Sequence, residues 1–415
     1  MRDPDSYQRA LRVVSVIPSL TAGGVGSVCR YAAEGLARRT DWAITLLCLH
    51  DAPDVDRDDG SGFRIAGLGL DGNCPRAFLA WLAANPQDLI ITSDVCRIEL
   101  AFRFLPSTTR HAIQIHDSGR RYREVAARHA AWVDGVSCVG RHIESRLQKS
   151  LDAVGFRGLL RTVHNGANFP ALKPRPPYAG PLRLLFVGRV DALKGVFDFV
   201  PLLQRLRRLG VPVTLNLVGG ANEALRRKFR CKGVADMVIW TGRVPHVRCY
   251  DIAAESDLLL VTSRKESFGM VTVEAMSMGC VPVAYNIPSG STEIIQHGTS
   301  GLLVPLGEIA AWATEIQALH NDRLRLTSLS VGAIERARTH FNAEVMSASL
   351  AGFVQDLMQH AERQPARREK GLPPVEPTSS SLSPRGYQRL PEGLRTWIRN
   401  WVCARPRLSY WLLNR

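Results

Sequence analysis

Apolar residues in this chain come in short unbroken runs, separated by stretches where they recur every three or four positions. The first run, Leu11-Arg-Val-Val-Ser-Val-Ile-Pro18, leads into a glycine loop, Thr21-Ala-Gly-Gly-Val-Gly26. Behind the loop, Val28, Tyr31, Ala32, Gly35 and Leu36 fall on one helical face. The same opening returns at Leu182-Arg-Leu-Leu-Phe-Val-Gly188, followed by Arg-Val-Asp-Ala-Leu-Lys-Gly195. Further runs predict strands at 43–49, 88–92, 111–115, 135–139 and 160–164 in the first half. In the second half they predict strands at 213–218, 237–241, 257–262, 281–284 and 301–304. Strands that are apolar along their whole length belong to parallel sheets covered on both faces. A strand–turn–helix opening used twice therefore predicts an α/β fold built from two doubly wound, Rossmann-like domains.

Punctuation sets the boundaries. Residues 170–181 carry five prolines and read as an interdomain linker. This gives a first domain over 1–169 and a second over 182–362, whose last helix, from Asn342, is free to pack back on the first domain. Residues 363–384 are polar and rich in Pro and Ser, a flexible linker by composition. The tail, 385–415, interleaves Arg395, Arg399, Arg405 and Arg407 with Trp397, Ile398, Trp401, Tyr410, Trp411 and Leu412. Basic residues with aromatic anchors suit a membrane interface, and a helix folded back onto the protein is the competing reading.

Composition narrows the class. A hydrophobic content of 45% and a charged content of 22% over 415 residues suit a globular protein of two domains. No run approaches the ~18 apolar residues of a spanning helix, and residues 1–9 lack a signal-peptide core. The nine cysteines form no Cys-x-x-Cys pair, so neither a disulfide framework nor a zinc site is expected and a reducing cytoplasm fits. The net charge of +15 comes without a nucleic-acid-binding module, which leaves an anionic membrane surface, a phosphate-bearing lipid substrate, or merely a solvated basic surface.

The chemistry concentrates at Glu266-Ser-Phe-Gly-Met-Val-Thr-Val-Glu274. The apolar run 258–261 aims at this segment, and a helix-like run, 270–278, leaves it. A strand feeding a turn that opens a helix presents free backbone N–H groups to an anion. Arg189 and Lys194 supply cationic donors suited to a diphosphate, and the two glutamates can accept hydrogen bonds from sugar or ribose hydroxyls. The combination suits a nucleoside diphosphate carrying a sugar.

These motifs resemble those of glycosyltransferase family 4, of the GT-B architecture, over about residues 10–362. The resemblance rests on Glu266-x7-Glu274 with its Ser-Phe-Gly core and on Gly188-Arg189-x4-Lys194-Gly195. It is supported by His164-Asn165-Gly166, the glycine loop at 22–26, and Gly290-Ser-Thr-Glu293-Ile-Ile-x2-Gly298. It implies two facing domains with a cleft between them and a retaining transfer from a UDP- or GDP-sugar to a saccharide or polyprenyl-diphosphate-linked acceptor. A place in bacterial surface polysaccharide assembly would follow. By the same resemblance Arg189 and Lys194 hold the donor diphosphate, Glu274 binds the ribose, and Glu266 faces the transferred sugar. The backbone of Phe268, Gly269 and Met270 lies near the donor, and Gly23 and Gly24 admit its phosphate. His116, at the end of an apolar strand, stands near the reacting centre, and Arg243 reaches toward the nucleotide.

Other features read as structural. Asn165-Gly166 is expected to turn with positive φ, and Glu293 to cap or hold the donor-side loop. Asp3-Pro-Asp5 and Asp54-Val-Asp56 match a metal–diphosphate signature but lie in polar segments without a strong preceding strand. No metal and no cofactor is expected, the cationic pair taking the metal's charge role. Two further readings share the motifs: a nucleotide-sugar epimerase or hydrolase of the same fold, and a nucleotide-sugar-binding scaffold without turnover.

Overall fold

The computed structural model describes residues 10–362 apart from 22, 53–56, 59–61, 71–73, 95–97, 173–177 and 179. The tail 385–415, the segment 363–384 and both Asp-x-Asp pairs lie outside the described residues. The chain forms two compact units, one ending at Asn168 and resuming at Asn342, the other running from Phe169 to Phe341.

In the first unit the elements run β1 (Arg12–Ile17), α1 (Gly23–Arg39), β2 (Ala43–Cys48), β3 (Arg57–Asp58), β4 (Arg64–Gly67), α2 (Cys74–Ala84) and β5 (Leu89–Ser93). They continue with β6 (Arg110–Ile115), α3 (Arg120–Arg128), β7 (Gly135–Cys138), α4 (Arg141–Asp152) and β8 (Leu159–Thr162). The sheet order is β3-β4-β2-β1-β5-β6-β7-β8, parallel throughout except for β3 against β4. The strands with continuous apolar runs form where expected. The pair β3–β4 had no such signal, because a two-residue strand beginning with Arg57 and a four-residue strand beginning with Arg64 are too short and polar to show a pattern.

The second unit holds β9 (Leu182–Val187), α5 (Phe199–Arg208), β10 (Val213–Val218), α6 (Glu223–Cys231), β11 (Val238–Gly242) and α7 (His246–Glu255). There follow β12 (Leu258–Val261), α8 (Met270–Ser277), β13 (Val281–Asn286), α9 (Gly290–Ile294), β14 (Leu302–Pro305), α10 (Ile309–Asn321) and α11 (Arg323–His340). Its sheet is wholly parallel, in the order β11-β10-β9-β12-β13-β14. Leu184, Phe186, Leu215, Leu217, Leu260 and Val283 fill the core, closed on one side by fully buried Trp312 of α10. The strand order reverses between β9 and β12. Their pairing covers only Leu184↔Leu258 and Leu185↔Leu259, so it ends before either strand does. Such a switch point opens a crevice at the carboxyl ends of the strands, where ligands of doubly wound sheets bind.

The last helix, α12 (Ala343–Glu362), belongs to the first unit and not to the second, which ends at Phe341 rather than at 362. Asn342 caps α12 by accepting from Val345 N–H at 2.8 Å. Two glycines make room for it: a Cβ on Gly35 of α1 would strike Ser347, and one on Gly135 of β7 would strike Leu357. Gly166 does not take the positive φ expected of it; its N–H points instead at Met346 Sδ of α12, 3.1 Å away.

Two left-handed glycines in the second unit separate strain from space. Gly195 (φ 70°) leaves no room for a Cβ, which would run into Thr262 O and the Arg264 guanidinium; Gly210 (φ 66°) has open space there. Gly210→Ala should cost only left-handed strain, about 1 kcal/mol, and Gly195→Ala about 3 kcal/mol or more, since a backbone atom must also move. Thermal unfolding of the two variants tests this ranking; equal shifts would refute the close contact.

Candidate functional site

The loops after β9 and β12 flank the switch point, and an ion pair joins them. Lys194 Nζ stands 2.7 Å from Glu266 Oε2, and Ser263 Oγ donates to the same oxygen at 3.2 Å. Backbone links hold the loops in register: Arg264 N–H donates to Leu193 O at 3.0 Å, and Thr262 Oγ1 donates to Lys194 O at 2.8 Å. Asp191 turns the first loop by accepting Lys194 N–H at 3.0 Å. Arg189 projects from that loop with its side chain 73% exposed, held among the described residues by a loose 3.6 Å contact with Asp191. The predicted cations thus differ. Lys194 is anchored beside Glu266, and Arg189 can reach an arriving anion.

A buried network supports this junction. Arg264 has no exposed surface; it donates to Thr262 O and Asp198 Oδ1, both at 2.7 Å, and lies over the Tyr285 ring. Tyr285 donates to the other oxygen of Asp198, and burial beside that carboxylate raises its own pKa. Arg264 sits in a Ser-Arg-Lys-Glu run that reads as surface. Nothing local signalled its burial.

Beyond Glu266 the chain turns through Gly269 (φ 105°) into α8, whose start no side chain caps. The first backbone N–H groups of α8 are therefore available to an anion. The Phe268 side chain packs edge-on against Phe341 at 5.8 Å and is 2% exposed, so only its backbone can serve a ligand. Met270 is half-buried at the first helical position. Gly290 presses against the Phe268 backbone, and at the start of α9 Thr292 Oγ1 accepts the Ser289 N–H at 3.4 Å. Glu274 lies one turn into α8 and pairs with His246 Nε2 at 2.9 Å. Arg243 is exposed, with its guanidinium beside Gly220 at the end of β10. The second unit thereby gathers Arg189, Lys194, Arg243, Glu266, Gly269, Met270 and Glu274 at the carboxyl edge of its sheet. The sequence did not reveal His246, whose partner lies 28 positions away on another helix.

The remaining candidates are in the first unit. Gly23 (φ 58°) and Gly24 are exposed at the start of α1; Gly26 is the packing glycine, pressed on Leu20 O. His116 follows β6, and burial pushes its imidazole down to about 4, so it is neutral at pH 7. Its Nε2 is 3.9 Å from Cys29 Sγ, and its Nδ1 has no partner among the described residues. Burial pushes the Cys29 thiol up to about 12, which leaves it an inert neighbour. Asp94 (φ 50°) accepts His116 N–H at 3.0 Å and fixes the strand end. Burial raises its carboxyl to about 7.

Asp94 and His116 titrate with opposite consequences. Asp94, raised in the fold, adds stability as pH falls from about 7 toward its unfolded value near 4. His116, lowered in the fold, removes stability as pH falls from about 6.5 toward 4. Asp94→Asn eliminates the first effect, so its unfolding temperature should fall more steeply than that of the wild type between pH 7 and 4. Parallel pH profiles for the two proteins would contradict a raised Asp94.

Comparison with known proteins places this geometry. Residues 181–322 match the family model described as "Glycosyl transferases group 1". A glycogen synthase of Mycobacterium tuberculosis is 28% identical over 273 residues, covering 60% of this chain and 64% of the relative. A D-inositol 3-phosphate glycosyltransferase of Xylanimonas cellulosilytica is 34% identical over 200 residues, covering 46% of this chain and 45% of the relative. The chain thus spans less than two thirds of the length of these curated relatives. Sucrose-phosphate synthase from Thermosynechococcus elongatus superposes with a TM-score of 0.72 at 20% identity, over 84% of this chain and 99% of the other. Anabaena Alr3699/HepE in complex with UDP and glucose superposes with a TM-score of 0.65 at 18% identity, over 83% and 100%. The chain has the fold of the GT-B glycosyltransferases, and its residues 181–322 are similar to the glycosyl transferases group 1 family.

Proposed function

We propose that the chain is a retaining glycosyltransferase that moves a sugar from a nucleoside-diphosphate sugar to a hydroxyl of a saccharide or lipid-linked acceptor. The observation that carries this reading is the Lys194–Glu266 pair across the β9/β12 switch point, with exposed Arg189 on one side and uncapped α8 on the other. In this reading Arg189, Lys194 and the α8 N–H groups take the diphosphate, Glu274 the ribose, and Glu266 hydroxyls of the transferred sugar. The acceptor oxygen bonds to the anomeric carbon on the face from which the C–O bond to phosphate breaks. The departing phosphate oxygen takes the acceptor proton, and the two cations offset its developing charge. Glu266 is already engaged by Lys194 and Ser263, which suits it to binding hydroxyls rather than attacking carbon. His116 offers a neutral imidazole that can share a hydrogen bond with a sugar hydroxyl.

UDP is the first base to test, because Anabaena Alr3699/HepE was solved with UDP and glucose; GDP is the second. A thermal-shift screen of UDP, GDP, ADP and CMP should select one base, with about 2.7 kcal/mol of stabilisation at a hundred times Kd. Lys194→Ala should lower kcat/KM by ~10²–10³-fold, as loss of a donor to developing oxyanion charge does. Glu274→Ala should act mainly on donor KM. Unchanged donor turnover in both variants would sink the proposal. Turnover without any acceptor would favour an epimerase or hydrolase, and binding without turnover a scaffold. An NMR assignment of the product's anomeric configuration decides retention.

The acceptor part of the proposal rests on charge. A net charge of +15 and the basic aromatic segment 385–415 favour a polyprenyl-diphosphate-linked saccharide at an anionic membrane, as in bacterial surface polysaccharide assembly. No described helix is long and apolar enough to cross a membrane. Deletion of 385–415 should reduce sedimentation with phosphatidylglycerol vesicles about tenfold or more, given ~1 kcal/mol per basic residue near such a surface; unchanged sedimentation would remove the segment from the account.

A further inference from the structure

We propose that His246 is a positioning residue for Glu274, and that the pair reads the ribose of the donor, selecting a ribonucleotide over its 2′-deoxy counterpart. This rests on the proposed reading of the second unit as a nucleotide-sugar site.

Glu274 is nearly enclosed, its side chain 13% exposed, yet only one of its oxygens is occupied. Oε1 accepts from His246 Nε2 at 2.9 Å, and Oε2 makes no hydrogen bond to the described residues. A carboxylate can accept about four hydrogen bonds, and the 13% of the side chain that stays exposed leaves Oε2 open to water and to a ligand. The open oxygen therefore suits a ligand that brings donors, and the vicinal 2′- and 3′-hydroxyls of a ribose are two donors side by side.

His246 fixes which oxygen stays open. It is the first residue of α7, after Pro245, and its ring packs edge-on against Tyr250 with centroids 5.4 Å apart. The position is informative, because a helix N-terminus disfavours an imidazolium. The hydrogen bond to Glu274 nevertheless raises His246 above its ordinary pKa, against burial. The other titratable groups facing the pair are the Cys249 thiol, raised by burial and by Glu274, and the Tyr250 phenol. With Nε2–H held by Oε1, the carboxylate cannot rotate freely about its last torsion, and Oε2 keeps a single direction. Removing the imidazole frees that torsion, so the energetic difference between a ribose and a 2′-deoxyribose should shrink.

The test is a cycle between protein and ligand. Dissociation constants are measured by calorimetry for UDP and 2′-deoxy-UDP, or for the GDP pair if GDP gives the larger thermal shift. The proteins are the wild type, His246→Ala and His246→Gln. The wild type should prefer the ribonucleotide about tenfold or more, because the deoxy form leaves Oε2 unpaired. His246→Ala should cut the preference below about threefold. His246→Gln, whose amide N–H can donate in place of Nε2, should retain most of it. A purely structural role would weaken both nucleotides equally and leave their ratio unchanged; that result overturns the inference. So does a wild type that binds both equally while Lys194→Ala still abolishes binding, an outcome that spares the donor-site reading. If the wild type binds no nucleotide, the reading and the inference fall together.

Discussion

A guanidinium with no surface exposure must bring its own counter-charge and acceptors, or it cannot be buried at all. Arg264 meets that condition through Asp198, the carbonyl of Thr262 and the face of Tyr285. Each contact belongs to a different part of the second unit: the segment entering α5, the end of β12, and β13. The guanidinium thereby locks three carboxyl-end segments of the sheet to one another, directly behind the loop that carries Lys194. Gly195 has no side chain because that space is taken. The Lys194–Glu266 pair stands on this base, and so do the turn at Gly269 and the uncapped start of α8.

The two units set different charges at the carboxyl edges of their sheets. In the second, the switch point carries cations and helix N–H groups, an arrangement suited to negative charge. In the first, the corresponding edge carries Asp94, His116 and Cys29, three titratable groups whose burial favours their neutral forms. An edge of neutral hydrogen-bonding groups suits hydroxyls better than phosphates. The division is electrostatic, and it arises although both units open with an apolar strand and a glycine-containing loop.

What was legible in the sequence was whatever repeats locally. Unbroken apolar runs located the long parallel strands, and the glycine-bearing turns located the loops that build the site. Pairings set by the tertiary fold were not legible. His246 and Glu274 lie on separate helices and carry no periodic signal. Arg264 looks like a surface residue because burial is decided by what packs around it, not by its neighbours in sequence. The expected turn at Gly166 failed for the same reason: its N–H is directed toward Met346 of a helix 180 positions later. The Thr292 contact at the start of α9 was readable in retrospect, since Ser289 and Thr292 stand three positions apart, the capping-box spacing.

The return of the chain at Asn342 also sets an order of events during synthesis. Gly35 and Gly135 hold open the seat of α12, a segment made only after the whole second unit. As the chain leaves the ribosome, the second unit has all its strands and helices available before the first can finish its own packing. The first unit must wait with α1 and the β7–β8 edge uncovered until residues 343–362 emerge. Domains usually mature in the order in which they are translated. Here the domain begun first is the one completed last, and its uncovered faces are where a nascent-chain chaperone would have most to protect.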